Sequence, residues 1–194
     1  MYLFQYIREL SKAAAIEDKN VTKKRIKDTN KEGSELVICN ASYLLGQTIR
    51  QLIVEESHWH ISKKAHEQLK GLVTRDQLWD YTYNANYKYK DSSCVSHKFN
   101  ENFTAEHVVP VNRILTELKE EAKANKLTDD RIKQILDEIH ICIITKDEDN
   151  LLNNGFRKNR EGNYRKIIGK NGAYNICGID VIGKIPFNSD GKLK

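Results

Sequence analysis

Apolar residues recur at helical spacing over much of the first part of the chain. One stripe runs through residues 7–16 and a second through residues 44–53. Such three- and four-residue intervals place apolar side chains on one face of an amphipathic helix. Ser62 is expected to cap a third helix that ends near Gly71. Residues 1–75 are therefore predicted to be mainly helical.

The pattern after residue 110 predicts two more helices, a buried strand and a further helix. Residues 111–139 carry two apolar stripes, and Thr128 is expected to cap the second of these helices. Ile141–Thr145 is a short, largely β-branched run, too short for a helix and suited to a buried strand. The acids at 147–149 favour the N-terminus of a helix that follows this strand.

Two segments have sequence patterns that are not typical of helices. In Trp79–Tyr89, aromatic rings alternate with polar residues, which predicts a β-hairpin or an extended aromatic loop. Its rings would either stack on bases or pack on the core. Residues 155–194 hold seven of the ten glycines, so short strands are predicted at 164–168 and 174–185 between turns.

Length and composition indicate a soluble globular protein. A chain of 194 residues can bury a sizeable core, and 30% of its residues are charged. No apolar run approaches eighteen residues and no signal peptide is evident, so we expect a cytoplasmic protein without a membrane partner. No C-x-x-C pair is formed by the four cysteines, which are Cys39, Cys94, Cys142 and Cys177. A structural zinc site is therefore not expected. We expect free thiols in a reducing compartment instead.

Positive charge is concentrated at the C-terminal end. Residues 155–194 contain nine Lys and Arg against three acids, a net charge of +6, so residues 1–154 sum to −1. A basic segment suits a polyanionic partner such as nucleic acid, although a solvated tail would have the same composition.

Glu106 and His107 are adjacent residues that together could hydrolyse a phosphodiester bond. That reaction needs a nucleophilic water, neutralisation of the phosphoryl charge and help for the departing oxygen. The Glu106 carboxylate and an amide oxygen of Asn150 are hard ligands that suit Mg²⁺ or Mn²⁺. An imidazole with an ordinary pKa of about 6.5 can take a proton from water near neutral pH. His107 would do so from the opposite side of the scissile phosphate.

The sequence segments around these residues resemble the motifs of the HNH, or ββα-metal, nuclease superfamily. Ala105–Pro110 reads Ala-Glu-His-Val-Val-Pro, similar to the family's strand end with an acid and a catalytic His. Ile143–Asn150 is similar to its second strand, which runs through Thr into a helix with an Asn ligand. The resemblance implies that Glu106, Asn150 and, one turn later, Asn154 bind metal, and that His107 is the general base.

Two departures from the family's pattern concern the region between the strands. The family's middle Asn falls at Ile141, with His140 just before it, and helices occupy 111–139 where the family has a short loop. Such insertions cost little, since loop-closure entropy grows slowly with length. His140, in place of the middle Asn, and His97 are the candidate auxiliary residues.

His58 and His60, in the predicted helical region, are expected to be surface or packing residues. Phosphate contacts are expected from the basic residues after the ligand helix, namely Arg157, Lys158, Arg160, Arg165 and Lys166.

Together these features predict an α+β fold with a ββα-metal core. The predicted regions are a mainly helical 1–98, a core over 99–160 with its helical insertion at 111–139, and a basic extension over 155–194, all in one compact domain. The implied activity is metal-dependent cleavage of double-stranded DNA, by analogy with HNH restriction endonucleases. A palindromic target would require a homodimer. The alternatives are a nonspecific HNH toxin acting on DNA or RNA, and a noncatalytic nucleic-acid-binding protein.

Overall fold

The computed structural model describes residues 2–16, 25–27, 35–37, 40–52, 56–78, 101–156 and 172–194. The helices that it describes from end to end are α1 (Tyr2–Ile16), α2 (Ala41–Gln51), α3 (Lys63–Leu69), α4 (Val111–Lys123), α5 (Asp129–Leu136), α6 (Lys146–Phe156) and α7 (Ala173–Ile176). The strands are β1 (Arg25–Lys27), β2 (Glu35–Val37), β3 (Trp59–Ser62), β4 (Phe103–His107), β5 (Ile141–Thr145) and β6 (Val181–Ile182). The fold is therefore α+β, as predicted.

The chain divides into two compact units. The helical unit consists of Met1–Leu52 and Pro110–Glu138, and the sheet unit consists of Ile53–Val109 and Ile139–Lys194. This division differs from the predicted regions, which placed everything in one compact domain. Within the predicted insertion at 111–139, α4 and α5 both pack against α1, and α4 also packs against α2, so residues 111–138 belong to the helical unit.

The helical unit forms as its sequence pattern predicts. Helix α1 contacts α2, α4 and α5, and Ile7, Leu45 and Ile132 are fully buried in its core. The predicted cap of α5 is confirmed, because the Thr128 side chain accepts a hydrogen bond from the backbone N–H of Arg131. This cap satisfies one of the backbone donors that the first turn of a helix leaves unpaired.

The prediction that residues 1–75 are mainly helical is wrong in two places. Strands β1 and β2 pair antiparallel within the charge-rich part of the segment, and β3 occupies Trp59–Ser62. In β3, Trp59 and Ile61 alternate with His60 and Ser62, which is a strand pattern. Ser62 does cap α3, as predicted, by accepting a hydrogen bond from the N–H of Ala65.

The sheet unit is built on a mixed sheet with the strand order β4-β5-β3-β6. The predicted strand Ile141–Thr145 is confirmed as β5, which is buried at all five positions. It pairs antiparallel with β4 and parallel with β3, and β3 pairs antiparallel with β6. Helix α6 follows β5 without a loop and packs against both β4 and β5.

Alternation along the strands defines two faces of this sheet. Glu106 pairs with Cys142, and Cys142 pairs with His60, so these three side chains share one face. We call it the α6 face, because Cys142 and Ile144 pack there in one cluster with Leu152 of α6. His107 pairs with Ile141 and lies on the opposite face.

The C-terminal segment departs from the strands predicted at 174–185. Only Val181–Ile182 forms a strand there, and Tyr174 lies in the short helix α7. The turn at Gly178, which has a φ of 70°, lets the N–H of Ile179 donate to the carbonyl of Tyr174 and ends the helix. The predicted strand at 164–168 and the aromatic segment Trp79–Tyr89 lie outside the described residues. In the described ranges, no helix is long and apolar enough to cross a membrane.

Candidate functional site

Glu106 lies on the α6 face of β4 and is held by a tyrosine from the C-terminal segment. The Tyr174 hydroxyl donates a hydrogen bond of 2.8 Å to Oε2 of Glu106. Tyr174 is only 2% exposed, and its ring packs in the cluster that contains Cys142 and Leu152. The carboxylate of Glu106 is half-buried. A buried aromatic residue therefore fixes one oxygen of the acid.

His107 is the last residue of β4, which is the edge strand of the sheet. Strand alternation directs its side chain away from the α6 face, so Glu106 and His107 project to opposite sides. The two residues are also predicted to act from opposite sides of a phosphate. They could meet the same phosphate only at the outer side of β4, where a backbone could run along the sheet edge.

The N-terminus of α6 is fixed by a buried carboxylate. Glu148 is 2% exposed, and its Oε2 accepts hydrogen bonds from the backbone N–H and the hydroxyl of Thr145. The N–H of Glu148 in turn donates to the Thr145 hydroxyl, which completes a reciprocal capping box. The Ser62 hydroxyl also donates to Glu148, at 2.6 Å. This arrangement fixes the start of α6 on both β3 and β5.

Asn150 and Asn154 lie on the solvent-exposed side of helix α6. Helix α6 turns Glu148 and Leu152 toward the sheet, as their burial shows. Successive helical residues are rotated by about 100°, so Asn150 projects roughly 160–200° away from these two. Both Asn150 and Asn154 are exposed.

The predicted metal ligands have the chemical groups that a divalent cation binds, but only one of the three residues lies on the α6 face. A carboxylate and two amides supply the hard oxygens that Mg²⁺ and Mn²⁺ prefer, but only Glu106 lies on the α6 face. In the described part of the chain, no three His, Cys, Asp or Glu side chains converge where they could hold a metal ion.

Three histidines form a cluster in the sheet unit. His60 Nε2 lies 2.9 Å from His140 Nδ1, and the rings of His58 and His140 stack with centroids 4.4 Å apart. Burial and the two neighbouring imidazoles lower the pKa of His140 to about 4. Burial also lowers the pKa of His60. Burial thus favours the neutral form of His60 and His140. His58 ends a 3-10 helical turn, and His60 lies in β3, where it packs against His140.

His140 contacts the Glu106–His107 segment through its main chain. Its carbonyl accepts a hydrogen bond of 3.0 Å from the N–H of Val108, just beyond the end of β4. Any residue could supply that carbonyl, whereas the His140 side chain is turned to His60. The proposal that the His140 side chain replaces the family's middle Asn stays a prediction.

Several predicted site residues lie outside the described residues. These are His97 and the basic residues Arg157, Lys158, Arg160, Arg165 and Lys166. The predicted phosphate contacts consequently stay predictions.

Sequence reasoning missed Tyr174 and the role of His60. Tyr174 lies 68 residues from Glu106, and nothing local in the sequence connects them. For His60 a signal existed, because Trp59 and Ile61 alternate with polar neighbours over the strand. Compared with protein-family models, with curated proteins and with solved structures, the chain matches none of them significantly. Any function must therefore be argued from these side chains.

Proposed function

We propose that this protein is a divalent-metal-dependent DNA endonuclease of the HNH type, with Glu106 as a metal ligand. The observation that carries the proposal is the placement of Glu106. It is an acid on the sheet face covered by α6, it is fixed by Tyr174, and it immediately precedes a histidine at the sheet edge. The order of an antiparallel β4–β5 pair followed directly by α6 also supports it, since the resemblance implies this order.

Glu106 would hold the ion, which when bound would neutralise charge on a phosphoryl oxygen and stabilise the departing oxygen. A carboxylate offers about four acceptor positions, so it can bind a cation while it accepts the Tyr174 hydroxyl. Mg²⁺ commonly keeps water ligands and uses only one or two protein carboxylates. Asn150 and Asn154 stay predicted ligands, and their participation would require α6 to present its exposed side to the substrate.

His107 would take the proton from the attacking water. A scissile phosphate beside the outer side of β4 would have Glu106 on one side and His107 on the other, because adjacent strand residues project in opposite directions. The described part of the sheet has no strand beyond β4 that would block this approach. The basic segment 155–194 would supply contacts to the phosphate backbone.

DNA is the proposed substrate, and sequence-specific double-strand cleavage by a homodimer is the proposed mode, by analogy with restriction endonucleases. The experiment is cleavage of supercoiled plasmid with Mg²⁺ or Mn²⁺, with and without EDTA. The variants are Glu106→Gln, His107→Ala and, as a matched control, Glu67→Gln, which changes an exposed acid of α3 in the same unit.

We expect Glu106→Gln and His107→Ala to lower the cleavage rate by about 10²–10⁴-fold, the usual contribution of a general base or a comparable charged group. Glu67→Gln should cleave like the wild type, and EDTA should stop cleavage. Discrete fragments would support sequence-specific cutting, and a smear would support a nonspecific nuclease. DNA binding without metal-dependent cleavage of DNA or RNA would overturn the proposal in favour of a noncatalytic binding protein.

A further inference from the structure

Tyr174 is a buried residue whose hydroxyl group donates a hydrogen bond to Glu106, the proposed metal ligand. Its side chain is 2% exposed, and the hydroxyl donates 2.8 Å to Glu106 Oε2. Tyrosine usually keeps its hydroxyl in contact with a partner or water when its ring is buried. Here the partner is an acid of strand β4, so the contact joins helix α7 of the C-terminal segment to β4.

The ring of Tyr174 has little freedom to move. It packs with Val108, Cys142, Ile144 and Leu152, and Ala173 and Ile179 flank it in the same cluster. A tyrosine side chain has only two main torsions, so a packed ring also fixes the position of its hydroxyl. The hydroxyl can therefore fix the orientation of the Glu106 carboxylate.

The thiol of Cys142, which pairs with Glu106 across the strands, also forms a side-chain hydrogen bond with Tyr174. Burial raises the pKa of Cys142, and the carboxylates of Glu106 and Glu148 raise it further. Cys142 therefore stays protonated near neutral pH and acts as part of the apolar cluster.

We propose that Tyr174 is a positioning residue for a divalent cation, acting through Glu106. This inference rests on the proposed function, because it takes Glu106 as a metal ligand. Carboxylates that bind metal are generally oriented by a further hydrogen-bonded residue, whose loss costs about 10–100-fold in metal affinity. Tyr174 supplies that hydrogen bond from 68 residues away.

The test is a direct titration of the full chain with Mn²⁺, in which electron paramagnetic resonance reports the free ion. The variants are Tyr174→Phe, which removes only the hydroxyl, Glu106→Gln, and Tyr6→Phe as the matched control on the exposed side of α1. Tyr174→Phe should weaken Mn²⁺ binding by about 10–100-fold. Glu106→Gln should weaken it at least as much, and Tyr6→Phe should leave it unchanged. Circular dichroism shows whether each variant is folded.

A second measurement separates positioning from a loss of folded protein. Tyr174→Phe should raise the Mn²⁺ concentration for half-maximal plasmid cleavage while the rate at saturating Mn²⁺ stays within a few-fold. A variant that is merely less folded would lower the maximal rate and leave the half-saturation concentration unchanged, and that result would overturn the inference.

The failure of the inference and of the proposed function are distinguishable. If Glu106→Gln loses Mn²⁺ and Tyr174→Phe binds it like the wild type, the inference fails and the proposed function stands. If the wild type binds no Mn²⁺, or Glu106→Gln binds it normally, the proposed metal site fails and the inference fails with it.

Discussion

The helical unit and the sheet unit are stabilised by different kinds of buried side chain. Among the described residues of the helical unit, those that are buried are apolar, apart from Ser11, whose hydroxyl donates to a carbonyl within its own helix. The other four buried polar or charged residues described, His60, Ser62, Thr145 and Glu148, all lie in the sheet unit. The five histidines that the structure describes also belong to the sheet unit.

Charged side chains in the helical unit lie nearer the surface. Arg131 contacts Glu117 and Glu121 at 2.8 and 2.9 Å, and all three are partly exposed. Such ion pairs contribute up to about 1 kcal/mol because water screens them. Burying a carboxylate or an imidazole costs more unless it is well hydrogen-bonded. Among the described residues, the sheet unit therefore buries polar groups at a desolvation cost that is largely absent from the helical unit. The proposed site also lies in the sheet unit.

The largest effect should come from Glu148→Ala. It removes a carboxylate that accepts hydrogen bonds from Ser62 and Thr145 in the interior and leaves buried donors unpaired. We expect a loss of roughly 3 kcal/mol in the free energy of unfolding. Urea unfolding followed by tryptophan fluorescence measures it, since Trp59 is buried in β3 of the sheet unit.

The matched control is Glu117→Ala in the helical unit, followed by far-UV circular dichroism. It should cost no more than about 1 kcal/mol, because Glu117 forms a partly exposed ion pair. Equal losses for Glu148→Ala and Glu117→Ala would remove the contrast between the units.

The histidine cluster should make the sheet unit sensitive to acid. His140 has a pKa of about 4 in the folded chain and an ordinary pKa of about 6.5 when unfolded. The folded state therefore binds fewer protons, so stability is full above about pH 6.5 and falls as the pH drops toward 4. The loss should be on the order of 2 kcal/mol.

Urea unfolding between pH 4.5 and 7, followed by tryptophan fluorescence, would measure this loss. Carboxylates also titrate at the acid end, so the relevant quantity is the difference between the wild type and His140→Gln. That variant should show a weaker pH dependence. An unchanged dependence would mean that the cluster does not couple protons to folding.

The smallest expected effect is the difference in lost stability between variants of two helix caps that have the same local geometry. Ser62 and Thr128 each accept a hydrogen bond from the N–H three residues later, at 3.1 and 3.2 Å. Thr128→Ala should cost about 1 kcal/mol, the usual value of a cap. Ser62→Ala should cost about 2 kcal/mol, because it also removes the buried bond to Glu148. Thermal unfolding followed by far-UV circular dichroism would measure both, and equal costs would contradict the role given to the Ser62–Glu148 contact.

Much of the fold could be predicted because it depends on neighbouring residues. The stripes of α4 and α5, the cap at Thr128 and the β-branched run of β5 are local patterns, and the structure has each of them. Strand β3 was missed because the helical spacing around it dominated the prediction. Tyr174 was placed in a strand because glycines on both sides indicated turns, whereas the structure has a single helical turn there.

The sequence by itself determined the caps, the apolar faces and the adjacency of Glu106 and His107. Only the tertiary structure decided that these two residues project to opposite faces of the sheet, and that Asn150 is exposed. It also joined Tyr174 to Glu106 and His60 to His140, over 68 and 80 residues. The physical reason is that local patterns follow from backbone geometry over a few residues. Contacts between distant side chains depend on strand register and on which faces pack together.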